Sequence, residues 1–397
     1  MGATQAGEVI MRDLLTDDEL MLQESVRRFM RAEVEPLVPR MQAEGEPPRS
    51  LLKRMGDLGF LGTCFDEAYG GSGASLATRA IVGEETARVD AGFDLVLFAD
   101  IMLFARAIAR HGTESQKRKY LVPVLTGDRI GAMGITEPGG GSDALGAVTR
   151  GRQQSGGWVV KGAKTFVTNA PTADFFLVIT RTSDEASRID GGTWFILDRG
   201  MEGLATGKPF SKMGMRSSPT GEIFLDDVRV GEDQVLGQAG RGFHMLMESL
   251  DVERVMVGAS TIGIAQACLD EAAAYAHERR VFGKAIREYQ LIQEKIADMA
   301  TGIEMSRAML YRLLRAVERG EKVTREAAIL KYFSSRMLTE ISAETVQIWG
   351  GAGQLEDNKT ARLYRDGKHH EIGAGTNEIM KVLIAKETFK EMGYGRK

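Results

Sequence analysis

Charged residues lie near both ends of one proline-free segment, Ser249–Lys284, which the sequence predicts to be a single long helix. Its apolar residues recur at the three- and four-residue spacing of a core-facing stripe. Glu253 and Arg254 lie near its start and Arg279 near its end, so about 39 Å would separate Glu253 from Arg279. A carboxylate can accept a proton, and a guanidinium can bind phosphate. One helix could therefore serve two distant sites, although a bundle helix with solvated charges would show the same pattern.

A second segment is rich in glycine and carries two hydroxyl groups. Ile135–Asp143 reads Ile-Thr-Glu-Pro-Gly-Gly-Gly-Ser-Asp. Glycines let the backbone approach a bound molecule closely, and threonine and serine supply hydroxyls. The same residues would suit an ordinary turn, as would the glycines of Gln347–Gly353. Neither segment decides a function by itself.

The elements that must position these residues fall into three successive regions. The first, to about residue 128, begins with a capping box at Thr16–Glu19 and contains a second one at Thr113–Gln116. In each box a threonine oxygen and a Glu or Gln three residues later satisfy free N–H groups. Further helices are predicted at Leu51–Leu58, Leu76–Val89, Leu95–Arg110 and Glu114–Leu125.

The pattern changes at Gly131, where short runs rich in β-branched and aromatic residues begin. They predict a small antiparallel barrel or sandwich with strands at Trp158–Val160, Thr165–Thr168, Phe175–Thr180, Thr193–Leu197 and Ile223–Val230. After Gly242 the helical period returns, and it holds through residues 245–277, 287–318, 325–348 and 376–391. Long helices with short connections are typical of a bundle.

Composition excludes several classes of partner. The 397 residues are 43% hydrophobic and 27% charged, which is ordinary for a globular chain of two or three domains. A net charge of −4 offers no basic surface for nucleic acid or an anionic membrane. Two cysteines in separate apolar segments, Cys64 and Cys268, give no support for a disulfide framework or a metal site and favour a reducing compartment. Without a signal, lipidation or membrane-spanning pattern, a cytoplasmic location is expected.

Four motifs together resemble a known family. They are Ile135–Asp143, Lys164–Asn169, Glu278–Lys284 and Tyr364–Ile379. In this order they resemble the acyl-CoA dehydrogenases from about residue 12 to the end of the chain. The resemblance implies an α+β fold with a helical N-terminal domain (1–129), a middle antiparallel β-barrel or sandwich domain (130–241) and a C-terminal four-helix bundle (242–397). It also implies FAD as the cofactor and a homotetramer.

The resemblance assigns cofactor-binding roles position by position. Residues that match those holding the flavin are Ile135, Thr136, Ser142 and Thr168, with the Thr168 hydroxyl expected near the reactive N5. Phe166 stands where many members have tryptophan, an exchange that keeps aromatic stacking. Residues that match those binding the pyrophosphate and adenosine are Arg279, Phe282, Gln347, Gly351, Thr376 and Glu378, some of them reaching across a subunit interface.

The expected catalytic base departs from the family's commonest pattern. Most members read Tyr-Glu-Gly-Thr and use that glutamate, whereas this chain reads Gly373–Thr376 as Gly-Ala-Gly-Thr, and alanine cannot accept a proton. A subgroup that includes isovaleryl-CoA dehydrogenase keeps its glutamate in a Leu-Asp-Leu-Glu-Arg run, which Leu250–Arg254 matches. The resemblance therefore implies Glu253 as the base and the backbone N–H of Ala374 as a donor to the thioester carbonyl. Glu371 is the competing carboxylate.

Residues expected to contact the substrate are Ser142, Asp100, Arg254, His370 and Gly375. Arg254 matches a family arginine near the CoA chain, although an ordinary surface salt bridge would also explain it. Asp100 falls on the segment that faces the acyl pocket in this family, where a carboxylate could meet a polar or cyclic acyl group. His370 stands where the isovaleryl type has an aromatic residue, which predicts a more polar pocket unless His369 and His370 form a surface pair.

The function implied is FAD-dependent α,β-dehydrogenation of a short-chain, branched-chain or cyclic acyl-CoA, with electrons passed to an electron-transfer flavoprotein. Two alternatives remain open. The substrate could be an acyl or aminoacyl group bound to a carrier protein, since the same fold and base would suit that thioester. The chain could also be a non-catalytic flavin-binding module, as Ala374 suggests and Glu253 opposes.

Overall fold

The computed structural model describes residues 14–183 and 187–394, and its first region is helical. Its α-helices, α1 to α8, are Asp17–Phe29, Val38–Glu44, Arg49–Asp57, Leu76–Val89, Ala91–Leu97, Arg106–His111, Glu114–Gln116 and Val122–Leu125. Both predicted capping boxes form. The N–H of Glu19 donates to the Thr16 hydroxyl at 3.3 Å, and that of Gln116 to the Thr113 hydroxyl at 3.2 Å. Local sequence therefore decides where these two helices begin.

A π-helical segment, Phe98–Ala105, joins α5 to α6 without a break. Asp100 lies within this segment, and Arg106 is the first residue after it. Such widened turns are rare and often occur at functional sites. The predicted helix Leu95–Arg110 is thus present, with a local geometry that periodicity does not reveal.

The middle region forms one eight-stranded sheet. Its strands, β1 to β8, are Gly131–Gly134, Arg150–Gln154, Gly157–Thr168, Phe175–Arg181, Gly192–Asp198, Leu204–Thr206, Thr220–Val230 and Val235–Leu236. Their spatial order is β6-β7-β3-β2-β4-β5-β8, with β1 paired to β4. Pairing is antiparallel except that β1 runs parallel to β4 and β2 meets β4 in parallel at one residue pair.

Two predicted runs, Trp158–Val160 and Thr165–Thr168, are parts of the single strand β3. Sequence reasoning missed β1 and β2. The first is half glycine and the second reads Arg-Gly-Arg-Gln-Gln, so neither carries the β-branched and aromatic residues that mark a strand. Pairing with neighbouring strands outweighs these weak local preferences.

The last region is helical again, with α9 to α13 at Gly242–Glu278, Gln290–Glu318, Thr324–Trp349, Lys359–Gly367 and Asn377–Glu391. The prediction that α9 continues to Lys284 is wrong. Arg279 has extended backbone angles, and Arg280–Val281 pairs with Lys284–Ala285 as the short hairpin β9–β10. Phe282 and Gly283 both have positive φ at the turn, which a right-handed helix cannot accommodate.

Helix α4 packs against α9 and connects the first region to the bundle. Gly263 permits this approach, because a Cβ there would lie 2.2 Å from the carbonyl oxygen of Glu84. The buried Glu84 carboxylate also accepts a hydrogen bond from Arg307 of α10 at 2.8 Å. Removing one partner of a buried pair leaves an uncompensated charge, so this contact holds the two regions in register.

Within residues 14–183 and 187–394, no helix is long and apolar enough to cross a membrane. Across the same residues, His, Cys, Asp and Glu side chains form no group of three or more that could hold a metal ion.

Candidate active site

Glu253 lies in the buried part of α9, with 4% of its surface exposed. The Ser249 hydroxyl, one turn earlier, donates to its Oε1 at 2.5 Å. Burial raises the pKa of Glu253, and this effect outweighs the opposing influence of the Ser249 hydroxyl and of Arg106 and Arg254. A carboxylate with a raised pKa is a stronger base than an exposed one, which suits it to proton abstraction near neutral pH.

A cavity with about 340 Å³ of unfilled space, part of it continuous with solvent, lies beside Glu253. Its apolar wall includes Met102, Leu103, Met133, Trp194, Met245 and Leu246. Arg106, Arg110 and His111 also line it. Sequence reasoning missed these three, although a charge in the apolar run Phe98–Ile108 was an available signal.

The turn that carries Ala374 is held by a buried lysine that sequence reasoning also missed. Lys331 of α11 donates from Nζ to the carbonyl oxygen of Gly375 at 2.6 Å and to Oδ1 of Asn377 at 3.0 Å. Burial lowers the pKa of Lys331 to about 8. Ala374 has a φ of 55° and Gly375 one of 92°. Lys331 therefore stabilises a left-handed turn whose Ala374 conformation is unfavourable for an L-residue.

The competing carboxylate, Glu371, lies in a different environment. It accepts a hydrogen bond from Lys368 and is not buried. Burial acts to raise the pKa of Glu371, but hydrogen bonds from Lys368 and Thr339 outweigh it and lower the pKa below the usual range. A carboxylate stabilised in this way is the weaker base of the two.

The residues expected to hold the flavin lie on β3 and on the loop after β1. Phe166 is 69% exposed and has a φ of 54°. Thr168, the last residue of β3, is partly exposed. The buried Lys164 joins the two segments, because its Nζ donates to Glu137 at 2.7 Å and to the carbonyl oxygen of Ile135 at 3.1 Å. This ion pair positions the loop that contains the predicted contacts Ile135 and Thr136.

Glycines shape the rest of that loop. An added Cβ would meet nothing within 4 Å at Gly139 or Gly140, and only the Thr136 methyl at 3.7 Å at Gly141. Ser142 follows these glycines and is exposed. The loop thus presents bare backbone and a hydroxyl, as the sequence predicted.

The residues expected to bind the pyrophosphate and adenosine lie on three other segments. Arg279 and Phe282 lie on the hairpin after α9, and Phe282 is 94% exposed. Gln347 and Gly351 lie at the end of α11, and both are exposed. Thr376 and Glu378 open α13, where the Thr376 hydroxyl accepts the N–H of Ile379 at 3.3 Å.

Left-handed backbone is concentrated at these predicted segments. Within the described residues, six residues other than glycine have positive φ, and three of them are Phe166, Phe282 and Ala374. A fourth, Asn169, follows Thr168 directly. Strained conformations of this kind persist where the fold enforces them, and they cluster at binding sites.

The residues expected to contact the substrate lie in different environments. Arg254 is mostly buried, and its guanidinium lies 3.4 Å from Asp251. Asp100 is fully buried, accepts the N–H of Gly131 at 2.7 Å and is not among the residues that line the cavity beside Glu253. Burial raises the pKa of Asp100 well above its usual range, which favours the neutral acid. Asp100 thus anchors the start of β1.

His370 does not belong to a surface pair. It is buried, and its Nδ1 has no hydrogen-bond partner among the described residues. Burial lowers the pKa of His370 well below its usual range, and that of His369 to about 4. A Cβ at Gly373 would lie 3.0 Å from His369 Nε2, so the neutral imidazole of His369 packs directly behind the turn of Ala374, and the His370 ring lies 5.5 Å from it.

Comparison with known proteins gives the family. Sequence models of the acyl-CoA dehydrogenase N-terminal, middle and C-terminal domains match residues 16–128, 132–228 and 240–389. The chain belongs to the acyl-CoA dehydrogenase family. It is 36% identical to the mitochondrial isovaleryl-CoA dehydrogenase of Oryza sativa subsp. japonica over 95% of this chain and 93% of that protein.

Solved structures agree with this acyl-CoA dehydrogenase fold. A chain in the structure described as the electron transferring flavoprotein of Acidaminococcus fermentans aligns with a TM-score of 0.92 and 35% identity, over 95% of this chain and 99% of that one. A chain described as the FAD complex of PigA aligns with a TM-score of 0.90 and 27% identity, over 95% and 96%. This acyl-CoA dehydrogenase is an FAD-dependent oxidoreductase.

The residues present fit that cofactor. The exposed aromatic rings of Phe166 and Phe282 can cover planar groups, and the Arg279 guanidinium can bind phosphate oxygens. The bare backbone and hydroxyls of residues 135–142 offer close approach and hydrogen bonds. A dinucleotide with aromatic, phosphate and polyol parts needs these donor and stacking groups.

Proposed function

We propose that this acyl-CoA dehydrogenase removes hydrogen from Cα and Cβ of a short- or branched-chain acyl-CoA, with Glu253 as the catalytic base. The observation that carries the proposal is the placement of Glu253. It is a buried carboxylate with a raised pKa, and it lines a cavity whose wall is largely apolar. The similarity to an isovaleryl-CoA dehydrogenase supports the same reaction class.

In the proposed reaction the Glu253 carboxylate takes the α proton as the Cα–H bond breaks. The backbone N–H of Ala374 donates to the thioester oxygen, which stabilises the negative charge that develops there. FAD, when bound, supplies the two-electron acceptor for the hydride that leaves Cβ. Lys331 keeps the Ala374 turn in its left-handed form, and the Ser249 hydroxyl orients the Glu253 carboxylate.

The substrate's CoA portion is expected to contact Ser142 and Arg254, and the acyl carbonyl to lie beside Gly375. Asp100 and His370 then act indirectly, because Asp100 anchors β1 and His370 packs against His369, which lies behind the Ala374 turn. The flavin would be held by Ile135, Thr136, Phe166 and Thr168. Its pyrophosphate and adenosine would be bound by Arg279, Phe282, Gln347, Gly351, Thr376 and Glu378.

We further propose a homotetramer, an electron-transfer flavoprotein as the electron acceptor and a cytoplasmic location. The Acidaminococcus structure supports the choice of acceptor. The exposure of Phe282, Gln347 and Gly351 supports a cofactor site completed by a neighbouring subunit, because these residues are open to contact a cofactor held by another chain.

Anaerobic mixing of the FAD-loaded enzyme with a panel of acyl-CoA esters tests the function. We expect loss of the oxidised flavin absorption with at least one short or branched ester. Reduction only by carrier-protein thioesters would favour the carrier-bound alternative. A flavoprotein that neither class reduces would be the non-catalytic module.

A further inference from the structure

The cavity beside Glu253 carries positive charge that the proposed reaction does not use. Arg106 and Arg110 line it beside His111, whose pKa burial lowers so that the neutral imidazole is favoured, whereas Glu253 is the carboxylate among the lining residues. All three follow the π-helical segment on one helix, α6. The rest of the wall is largely apolar, as a hydrocarbon acyl chain would require, so the two arginines need a separate explanation.

Arg106 is the member closest to the chemistry. It lines the same cavity as Glu253 of α9, and the guanidinium opposes the rise in the pKa of that carboxyl. Within residues 14–183 and 187–394, no carboxylate lies within the 4.0 Å of an ion pair with Arg106. Arg110, by contrast, is exposed to solvent.

A neighbouring arginine shows how this fold neutralises a buried cation. Arg79 lies 3.8 Å from Asp94, and the Asp94 carboxylate in turn accepts a hydrogen bond from Ser260. Arg106 has no equivalent carboxylate, although burial lowers its pKa. A largely desolvated guanidinium without a counter-ion is unfavourable, and a carboxylate that enters the cavity would relieve that cost.

Glu253 is a poor permanent partner for Arg106. The Glu253 carboxylate already accepts a hydrogen bond from the Ser249 hydroxyl. A close ion pair with Arg106 would lower the pKa of Glu253 and weaken it as a base. The natural partner is therefore part of the ligand. Because Arg106 and Glu253 line the same cavity, that carboxylate must be joined to Cα by a short chain.

We propose that Arg106 binds a carboxylate at the far end of the acyl group, so that the substrate is a short dicarboxylic acyl thioester. This inference rests on the proposed function. It assigns Arg106 a role in selecting the acyl group and leaves proton abstraction to Glu253.

Glutaryl-CoA and valeryl-CoA test the proposal, because both acyl groups have five carbons and only the first ends in a carboxylate. The measured quantity is the ratio of their kcat/KM values for flavin reduction by the FAD-loaded enzyme. We expect a ratio above one in the wild type and a fall of roughly 10- to 100-fold in Arg106→Met, as charge-assisted hydrogen bonds are lost. Arg106→Lys, which keeps the charge, should retain more of the preference.

Arg118→Met is the matched control, because Arg118 is an exposed arginine paired with Glu114 away from the cavity. It should leave the ratio at the wild-type value. Calorimetric titration of the Glu253→Gln holoenzyme gives a readout without turnover. Glutaryl-CoA should bind more tightly than valeryl-CoA, and adding Arg106→Met should abolish the difference.

The outcomes separate this inference from the proposed function. The inference alone is overturned if the enzyme oxidises valeryl-CoA and shows no preference for glutaryl-CoA. It is also overturned if Arg106→Met leaves the ratio of the two kcat/KM values unchanged. An equal loss of rate on both esters, with a shifted pH profile, would mean that Arg106 only adjusts Glu253 and would also overturn it. If no CoA ester reduces the flavin, the proposed function is refuted, and the inference that rests on it is refuted as well.

Discussion

Replacing Glu253 by Gln removes the basicity at the centre of the proposed site while preserving its shape. The two side chains have nearly the same volume, and the Ser249 hydroxyl can still donate to the remaining carbonyl oxygen. Glu253 is 4% exposed, so the site offers little room for water to act as a substitute base. FAD content and acyl-CoA binding should therefore remain, whereas proton abstraction should not.

A lost general base typically costs about 10²–10⁴-fold in rate. With a tenfold change for each 1.36 kcal/mol, this is about 2.7–5.4 kcal/mol of transition-state stabilisation. The wild-type rate should rise with pH through the pKa of Glu253, because only the ionised carboxylate accepts a proton and burial raises that pKa. This increase in rate with pH should be absent in the Glu253→Gln variant.

Anaerobic stopped-flow measurement of flavin reduction, from pH 5 to 9, is the appropriate assay. Glu371→Gln is the matched control, because Glu371 is a nearby carboxylate that pairs with Lys368 and is not buried. It should reduce flavin at close to the wild-type rate. The reasoning is refuted if Glu253→Gln retains the wild-type rate and pH profile while Glu371→Gln loses them.

Three further predictions concern the cofactor, the assembly and the stability of the framework. Arg279→Ala should release FAD more readily in equilibrium dialysis, because a charge-assisted contact worth about 1.5–3 kcal/mol is lost, and equal retention would contradict the assigned phosphate contact. Multi-angle light scattering should give four subunits, and a fully active monomer would exclude a shared cofactor site. Glu84→Gln should destabilise the holoenzyme by up to about 3–5 kcal/mol in urea, since the buried Arg307 loses the charge of its buried partner and keeps Glu304 and the Gln266 oxygen. The exposed pair of Lys161 and Asp226 gives a control, Asp226→Asn, that should not measurably change the urea midpoint.

Local signals in the sequence were sufficient for the order of the three regions and for their long helices. Thr16 and Thr113 form the capping boxes that their spacing predicts, because the bonds involved join residues three positions apart. The helical periods also located the long helices of the bundle, since one face of each is buried. The α+β class and the family followed from these patterns together with the four motifs.

Errors arose where the local pattern was weak or ambiguous. Arg279–Lys284 follows α9 without proline, yet it forms a hairpin because Phe282 and Gly283 adopt positive φ. The polar strand β2 is a strand because β3 pairs along its whole length. Neither fact is encoded in the period of the apolar residues.

What the sequence determined by itself was the family, the cofactor and the candidate base, because each depends on residue types at close spacing. The environment of that base was decided only by the tertiary structure. Arg106, Lys331 and Lys164 are ordinary charged residues in the sequence, and their burial beside the cavity, the Ala374 turn and the loop after β1 depends on elements far apart in the chain. Burial and charge act through distances in space, so the raised pKa of Glu253 and the selectivity proposed for Arg106 exist only once the helices have packed.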